Sequence, residues 1–295
     1  MTALPTKPKF PSESVQKLQE RMNPCVLCPR ECRVNRNNEQ TGFCGIGRNP
    51  VVSSVGPHFG EESVLVGTGG SGTIFFAGCN MACIFCQNYD ISHLRRGREV
   101  TIDKLAQSML ELQSAGCSNI NLVTPTHVAA PIASAIVSAK KQRLTLPIVY
   151  NTGGYDSVET LELLRGLIDI YMPDMKYSDA AIAEQLSNAP QYPQINQAAV
   201  KEMHRQVGDL QIENGLARRG LLVRHLVLPE GLAGSFEIID FLAEQVSSST
   251  AINVMAQYRP CYDGFSHPKL NRRPRPDEIK PVRKYAENKG LRIIP

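Results

Sequence analysis

Residues 72–88 read GTIFFAGCNMACIFCQN and combine an apolar run with three cysteines. The apolar start of this stretch, rich in β-branched and aromatic residues, predicts a buried strand that ends at Gly78. Three thiols follow at the spacing C-x3-C-x2-C: Cys79, Cys83 and Cys86. Three thiolates so close together suit an iron–sulfur cluster, whereas a tetrahedral zinc site needs a fourth ligand that this loop lacks. The pattern predicts a [4Fe–4S] cluster with one iron left open for substrate or cofactor, with a structural cysteine knuckle as the alternative.

The bulk composition is that of an ordinary globular protein. The chain has 295 residues, of which 42% are hydrophobic and 20% charged, and this length admits either one α/β barrel or two domains. A net charge of +4 is too mild to indicate a nucleic-acid partner. The sequence shows neither a secretory signal nor an apolar run long enough to span a membrane. With cysteines at metal-like spacings, it predicts a cytoplasmic protein whose thiols bind metal rather than form disulfides.

From residue 73 onward, short apolar strands alternate with helical patterns. Six strand–helix repeats predict an α/β fold, a partial (β/α)6 barrel with a parallel sheet. After the first strand, the predicted strands are residues 119–123, 146–150, 168–172, 220–228 and 251–255. Active sites of such barrels lie at the carboxyl ends of the strands. Every predicted strand here is followed by polar or thiol side chains, so we expect one site where these ends meet.

We expect three parts in the chain: an N-terminal extension, a barrel core, and a C-terminal basic loop with a helix. They are residues 1–66, 67–262 and 263–295. In the extension, residues 1–20 are expected to be loosely ordered, and residues 51–56 and 63–66 to pair as a small hairpin. The turn between the two arms carries His58, Glu61 and Glu62. A polar turn is the preferred interpretation of these side chains, and contact with substrate is the alternative.

Four cysteines of the extension have their own metal-like pattern. Cys25, Cys28, Cys32 and Cys44 are spaced C-x2-C-x3-C-x11-C. Four thiols at this spacing can close a tetrahedral zinc site or hold a second iron–sulfur cluster. Free or redox-active thiols are the remaining alternative.

The loop at residues 79–86 resembles the signature of the radical S-adenosylmethionine (SAM) superfamily, C-x3-C-x-aromatic-C, with Phe85 at the aromatic position. The resemblance implies that Cys79, Cys83 and Cys86 bind the cluster and that Phe85 lies near the adenine of SAM. It further implies that the open iron binds SAM and that the reduced cluster cleaves it to a 5′-deoxyadenosyl radical, which abstracts hydrogen from a substrate. Such an enzyme needs a one-electron donor such as flavodoxin.

Within that superfamily, residues 73–260 are most similar to pyruvate formate-lyase activating enzyme. This similarity implies that Asn151, Thr152 and Asp174 surround a monovalent cation beside the SAM carboxylate, where oxygen ligands suit a hard ion. It also implies that Arg224 pairs with that carboxylate or a ribose hydroxyl, and that Lys176 faces the substrate. An ordinary salt bridge between Asp174 and Lys176 is the alternative.

The second strand end departs from the activating enzymes. Where they carry Gly-Gly-Glu for the SAM amino group, this chain has Thr124-Pro125-Thr126-His127. We predict that the hydroxyls of Thr124 and Thr126 take over that role. His127 is a candidate proton donor, with a structural role as the alternative. Gln257, after the last strand, completes the candidate cofactor-binding residues.

The sequence therefore predicts an oxidoreductase of the radical SAM type, similar to activating enzymes of glycyl-radical enzymes. Its substrate could be a protein, a peptide or a small molecule, and no nucleic acid or membrane is expected as a partner. The alternative is an iron–sulfur or zinc protein that transfers electrons or acts as a scaffold without turning over SAM.

Overall fold

The computed structural model describes residues 12–295. Its helices are α1 (Ser12–Glu20), α2 (Ser63–Val66), α3 (Tyr89–Ser92), α4 (Ile102–Ser114), α5 (Ala129–Lys141), α6 (Val158–Leu163), α7 (Ala180–Ser187), α8 (Tyr192–Val207), α9 (Ser235–Gln245) and α10 (Pro276–Asn288). Its strands are β1 (Val51–His58), β2 (Ser71–Phe76), β3 (Arg98–Glu99), β4 (Ile120–Val123), β5 (Ile148–Thr152), β6 (Ile170–Pro173), β7 (Gln211–Glu213), β8 (Leu216–Leu226), β9 (Ala251–Met255) and β10 (Arg292–Ile293).

The strands form one mostly parallel sheet in the order β10-β9-β8-β6-β5-β4-β2-β1-β3, with β7 paired to β8. From β2 to β10 the neighbours along this order run parallel, whereas β1 is antiparallel to both β2 and β3. The predicted α/β class with a parallel sheet is confirmed, and all six predicted strands are present. The arrangement agrees with a partial (β/α)6 barrel.

The two faces of the sheet bury different apolar clusters, because successive side chains of a strand point to opposite faces. On β4, Ile120 and Leu122 belong to the main core, together with residues of α4 and α5. On the other face, Val149 and Leu222 pack in a smaller cluster with Leu65 of α2. Helix α2 therefore covers one end of the face that the longer helices leave free.

Side-chain caps begin three of the described helices, α4, α6 and α7. Thr101 accepts a hydrogen bond from the amide of Lys104 and caps the start of α4. The sequence of residues 178–217 predicts two helical stretches, the second capped by Asn196, but this cap is wrong because α8 begins four residues before Asn196, at Tyr192. Pro193 fits the first turn, where no amide hydrogen bond is needed. Asn196 is instead buried inside the helix and donates to the carbonyls of Gly154 and Asp174.

The predicted hairpin in the extension is also wrong. Residues 63–66 form α2, and β1 pairs with β2 along most of its length instead. A four-residue apolar run fits a strand or a helical turn equally well by periodicity, so the sequence pattern could not decide between them. Residues 12–20, expected to be loosely ordered, form α1, and the rest of that expectation lies outside the described residues.

A hairpin elsewhere in the chain was missed. Strand β7 pairs with the first residues of β8, and the turn between them, Asn214-Gly215, has positive φ at both positions. Asn-Gly between two strands is a strong hairpin signal that the sequence did contain. In the described range, no helix is long and apolar enough to cross a membrane.

Candidate active site

One cavity of about 260 Å³ lies at the carboxyl ends of the parallel strands. Each of the six predicted strands contributes to its lining, either at its last residues or in the loop that follows. The predicted site residues that line it are Cys79, Cys83, Phe85, Cys86, Thr124, Asn151, Thr152, Asp174, Lys176, Arg224 and Gln257. The topology of a parallel sheet thus brings together side chains that lie far apart in sequence. The largest separation is 178 residues, from Cys79 to Gln257.

The three thiols of the loop after β2 face this cavity, and each has a hydrogen-bond partner at its sulfur. The amide of Met81 donates to Cys79 Sγ at 3.3 Å, and the hydroxyl of Ser187 donates to Cys83 Sγ at 2.9 Å. Cys86 Sγ lies 3.1 Å from Ser92 Oγ. Burial raises the pKa of the Cys79 and Cys83 thiols, while the nearby Lys176 ammonium opposes this rise. A metal would replace the protons of these thiols.

Asp174, Lys176 and Arg224 form a partly buried ion network in the same cavity. The Lys176 ammonium lies 2.5 Å from Asp174 Oδ2, and Arg224 Nε donates to Asp174 Oδ1 at 2.9 Å. Arg224 also donates to Asn151 Oδ1 at 2.6 Å. Burial alone would raise the pKa of Asp174, but the two cations outweigh it and hold the pKa below its usual value. The site therefore carries an ionised carboxylate between two cations.

Thr124 enters the cavity with a strained backbone. Its φ is +63°, in the left-handed region that β-branched residues rarely adopt, and its amide donates to the Asn151 carbonyl at 2.8 Å. Strain of this kind is found at functional sites, where the surrounding structure enforces it. The conformation turns the chain sharply at the end of β4.

Thr126 lies elsewhere, contrary to the expectation that it receives the SAM amino group beside Thr124. Its hydroxyl donates to Asp156 Oδ1 at 2.7 Å and lies 2.9 Å from the Thr152 hydroxyl. Thr152 and Tyr150 donate to the same buried carboxylate. Burial raises the pKa of Asp156, and these hydroxyl donors oppose the rise. The Thr126 hydroxyl is thus used inside the protein, and Thr126 is not part of the cavity lining.

His127 also lies outside the cavity, so the expectation that it donates a proton there does not fit its position. Its ring is 1% exposed, and Nε2 lies 2.9 Å from the carbonyl of Ala77. Because a carbonyl only accepts, Nε2 carries the proton and Nδ1 a lone pair. Burial lowers the pKa of His127 to about 3, so the ring is neutral near pH 7.

Phe85 and Gln257 occupy neighbouring parts of the cavity wall. The Phe85 ring is buried and makes an edge-to-face contact with Tyr258, with 5.7 Å between ring centroids. Gln257 immediately precedes Tyr258 in the chain. The aromatic position of the loop and the end of the last long strand therefore meet at one side of the cavity.

Glu61 and Glu62 are the charged residues that sequence reasoning underestimated. Glu61 Oε2 lies 3.9 Å from Arg224 Nη1, so the expected polar turn reaches into the ion network. Burial raises the pKa of Glu61, and Arg224 counteracts this. Glu62 is 6% exposed and accepts from Asn253 Nδ2 at 3.2 Å. Two adjacent carboxylates beside a glycine were the only signal, because their partners lie more than 160 residues away.

The four cysteines of the extension line a second, small cavity of about 10 Å³. Its remaining lining includes Arg30, Arg36, Asn80 and His127. Burial raises the pKa of Cys28 to about 12, and the pKa of the Cys44 thiol is raised for the same reason. Within residues 12–295, no three Cys, His, Asp or Glu side chains stand in a ready arrangement for a single metal ion.

Comparison with known proteins finds a relative in sequence and two solved structures with similar architecture. The chain is 32% identical, over 98% of its length and 81% of the relative's, to the uncharacterized protein MJ0674 of Methanocaldococcus jannaschii. Its fold is similar to a radical SAM methyltransferase from Sphaerobacter thermophilus, with a TM-score of 0.51 at 15% identity, over 75% of this chain and 64% of that one. Comparison with Streptococcus suis SuiB bound to precursor peptide SuiA gives a TM-score of 0.49 at 10% identity. It covers 74% of this chain and 46% of the SuiB chain. The chain thus spans less than two thirds of either solved structure.

The sequence model of the Radical SAM superfamily matches residues 73–221, about half of the chain. This match begins in β2, includes the three-cysteine loop and the ends of the strands through β6, and stops within β8. By this match, the chain belongs to the radical SAM superfamily.

Proposed function

We propose that this protein binds a [4Fe–4S] cluster through Cys79, Cys83 and Cys86, cleaves SAM reductively, and abstracts hydrogen from a substrate. The family implies the cluster, SAM and a one-electron donor. The observation that carries the proposal is the single cavity that joins the three thiols to the ion network of Asp174, Lys176 and Arg224. When bound, the cluster and SAM supply the C–S cleavage and the radical; the protein supplies position and charge.

The donor set fits this group. Three thiols with a fourth position left to a cofactor are what such a cluster requires, and hydrogen bonds to their sulfurs tune its reduction potential. Ser187 and the amide of Met81 provide two of these bonds. The Lys176 ammonium, in the same cavity, adds positive charge that favours the thiolate forms.

Arg224 and Asn151 are the proposed contacts of the SAM amino acid. The guanidinium is held in place by Asp174 and Asn151, so it needs little reorganisation when a carboxylate arrives. Thr124, at the adjacent strand end, is the proposed partner of the SAM amino group, and Phe85 and Gln257 the proposed wall for the nucleoside.

A monovalent cation at Asn151, Thr152 and Asp174 would compete with Lys176. The ammonium already contacts Asp174 Oδ2, and the Thr152 hydroxyl donates to Asp156. We therefore propose that Lys176 supplies the positive charge that such a cation would provide, in addition to facing the substrate.

The substrate is proposed to be a residue of a partner protein or peptide, as in the activating enzymes of glycyl-radical enzymes, with a small metabolite as the second choice. An acidic one-electron donor such as flavodoxin is the proposed reductant. All nine cysteines are free thiols, which supports a reducing location such as the cytoplasm. We also propose that the four cysteines of the extension hold a metal group, either zinc or a second cluster.

The decisive experiment is anaerobic reconstitution with iron and sulfide, followed by dithionite and SAM. We expect 5′-deoxyadenosine and methionine in equal amounts. The variant Cys83→Ala should abolish the product, whereas Cys117→Ser, which changes a buried thiol outside both cavities, should leave it unchanged. Product at background level in the reconstituted wild type would instead favour an iron–sulfur protein that transfers electrons or acts as a scaffold.

A further inference from the structure

We propose that the four cysteines of the extension bind a second [4Fe–4S] cluster, separate from the one at residues 79–86. Although they are spread over residues 25–44, all four thiols line one cavity. Cys25 and Cys28 are buried there, and Cys32 and Cys44 are partly buried. Four thiols are a complete ligand set for a cluster that needs no open iron. The inference rests on the proposed function only in assigning the first cluster to the other loop.

The space between the thiols favours a cluster over zinc. In a zinc site built from four cysteines, the sulfurs lie about 2.3 Å from the ion, closer than van der Waals contact, so the centre has no room for a water-sized sphere. The cavity here has a volume of about 10 Å³, close to one such sphere. The cavity that the four cysteines line therefore keeps free space that a closed zinc site would not leave. A cubane core would place iron and sulfide atoms in this space.

His127 provides a second, independent sign of a ligand in this cavity. It lines the cavity, it is 1% exposed, and Nδ1 has no hydrogen-bond partner among the described residues. Since Nε2 donates to the Ala77 carbonyl, Nδ1 presents its lone pair. Histidines that bind metal commonly donate their other ring nitrogen to a backbone carbonyl in this way, so Nδ1 is a fifth candidate ligand that can take the place of one cysteine on an iron. A buried nitrogen without a partner is costly unless something in the cavity satisfies it.

The surrounding charges match a group made from thiolates. The guanidinium groups of Arg30 and Arg36 belong to the cavity wall, and Arg36 is 1% exposed. Arg36 donates to backbone carbonyls of Gly47 and His127, so no carboxylate neutralises it among these contacts. Buried cations of this kind offset the negative charge that a thiolate-bound cluster brings.

The second cavity lies directly against the loop of the first cluster. Arg30 Nε donates to the carbonyl of Asn80, the residue after Cys79, at 2.9 Å. At Gly78, where φ is +76°, an added Cβ would lie 2.7 Å from the Cys44 carbonyl oxygen. Only glycine allows so close an approach. The two cysteine groups therefore share a wall, although 34 residues separate Cys44 from Gly78.

The test counts iron and sulfide per chain after anaerobic reconstitution. We expect about eight of each in the wild type and about four of each in the variant Cys79→Ala/Cys83→Ala/Cys86→Ala, which leaves the extension intact. The variant Cys25→Ser/Cys28→Ser/Cys32→Ser/Cys44→Ser should also hold about four, and the control Cys117→Ser about eight. Electron paramagnetic resonance of the reduced loop variant should show a [4Fe–4S] signal that SAM does not alter.

The proposal is overturned if the loop variant, folded by circular dichroism, binds less than about one iron, or if it holds about one zinc that iron does not replace. The loop variant decides the question because it leaves the extension unchanged. Its result does not depend on whether the extension variant folds. Failure of the proposed function would look different: wild type without 5′-deoxyadenosine, while the loop variant still holds its iron.

Discussion

At the scale of single residues, Thr124 combines a place in the cavity with a backbone that a β-branched residue disfavours. We predict that Thr124→Gly raises the free energy of unfolding by about 1 kcal/mol, because glycine adopts positive φ without strain. The same change should lower SAM affinity, since the hydroxyl is lost. Urea unfolding and equilibrium binding of SAM measure the two effects. Thr101→Gly, at a φ of −74°, is the control and should lose a few tenths of a kcal/mol.

The ion pair of Lys176 with Asp174 either stabilises the structure alone or also takes part in SAM cleavage, and a substitution of Lys176 distinguishes the two roles. Lys176→Met keeps the bulk of the stem but removes the ammonium beside Asp174, and we expect 5′-deoxyadenosine formation to fall by roughly tenfold or more. Iron content should not change, because no thiol is touched. Potassium ions should restore part of the rate if the ammonium replaces a monovalent cation. An unchanged rate in the variant would mean that Lys176 has only a structural role, as the salt-bridge partner of Asp174. The matched control is Lys201→Met, which changes an exposed lysine.

Residues close in sequence were easier to assign than residues that fold back from a distance. Cys79, Cys83 and Cys86 lie within one loop, so their spacing alone predicted a common site, and the structure brings them to one cavity. Thr126 was misplaced because its partner, Asp156, is 30 residues further on. Nothing in the local pattern indicates that a buried carboxylate will occupy the Thr126 hydroxyl. Long-range polar contacts of this kind depend on the whole fold.

At the scale of elements, the strands were predictable and the short extension elements were not. Each of the six predicted parallel strands contains a short apolar run and has a helical pattern after it, and one sequence window can detect both. Helix α2 has only four residues and no side-chain cap, and its apolar residues fit a strand equally well. What decides its conformation is the apolar surface that it covers, including Val149 and Leu222. That surface exists only after the sheet has formed.

The joint between β8 and α9 predicts a pH dependence of stability. His225 is fully buried and lies 2.7 Å from the Met175 carbonyl and 2.8 Å from the Ser235 hydroxyl. Burial lowers the pKa of His225 to about 4, against about 6.5 in an unfolded chain. The unfolded state therefore binds more protons between these values, and stability is lost as the pH falls below about 6.5.

From this shift, we expect His225 to contribute a loss of about 2 kcal/mol in unfolding free energy between pH 7.5 and pH 5. Urea unfolding of the chain at both pH values measures the loss. His225→Gln has no titrating ring, so its own loss over the same range should be smaller by about that amount. An equal pH dependence in the two proteins would show that His225 is not the group responsible.

At the scale of the molecule, the extension and the barrel share one apolar core. The sequence predicts residues 1–66 as a part separate from the barrel of residues 67–262. Leu18, Met22 and Leu27 nevertheless belong to the same buried cluster as the helix side of the sheet. Polar contacts join the two parts as well, since Gln19 donates to the Ala130 carbonyl and Arg36 to that of His127. Removing the extension would expose core side chains to water.

We therefore predict that the extension unfolds together with the barrel in a single transition. Thiol labelling at increasing urea, read by mass spectrometry in the chain without iron, follows Cys25 in the extension and Cys117 in the barrel core. Both are buried, so each becomes reactive only when its surroundings open. The two labelling midpoints should coincide with each other and with the loss of helical circular dichroism. A midpoint for Cys25 at clearly lower urea would mean that the extension opens alone, and that its contacts with α5 contribute little to its stability.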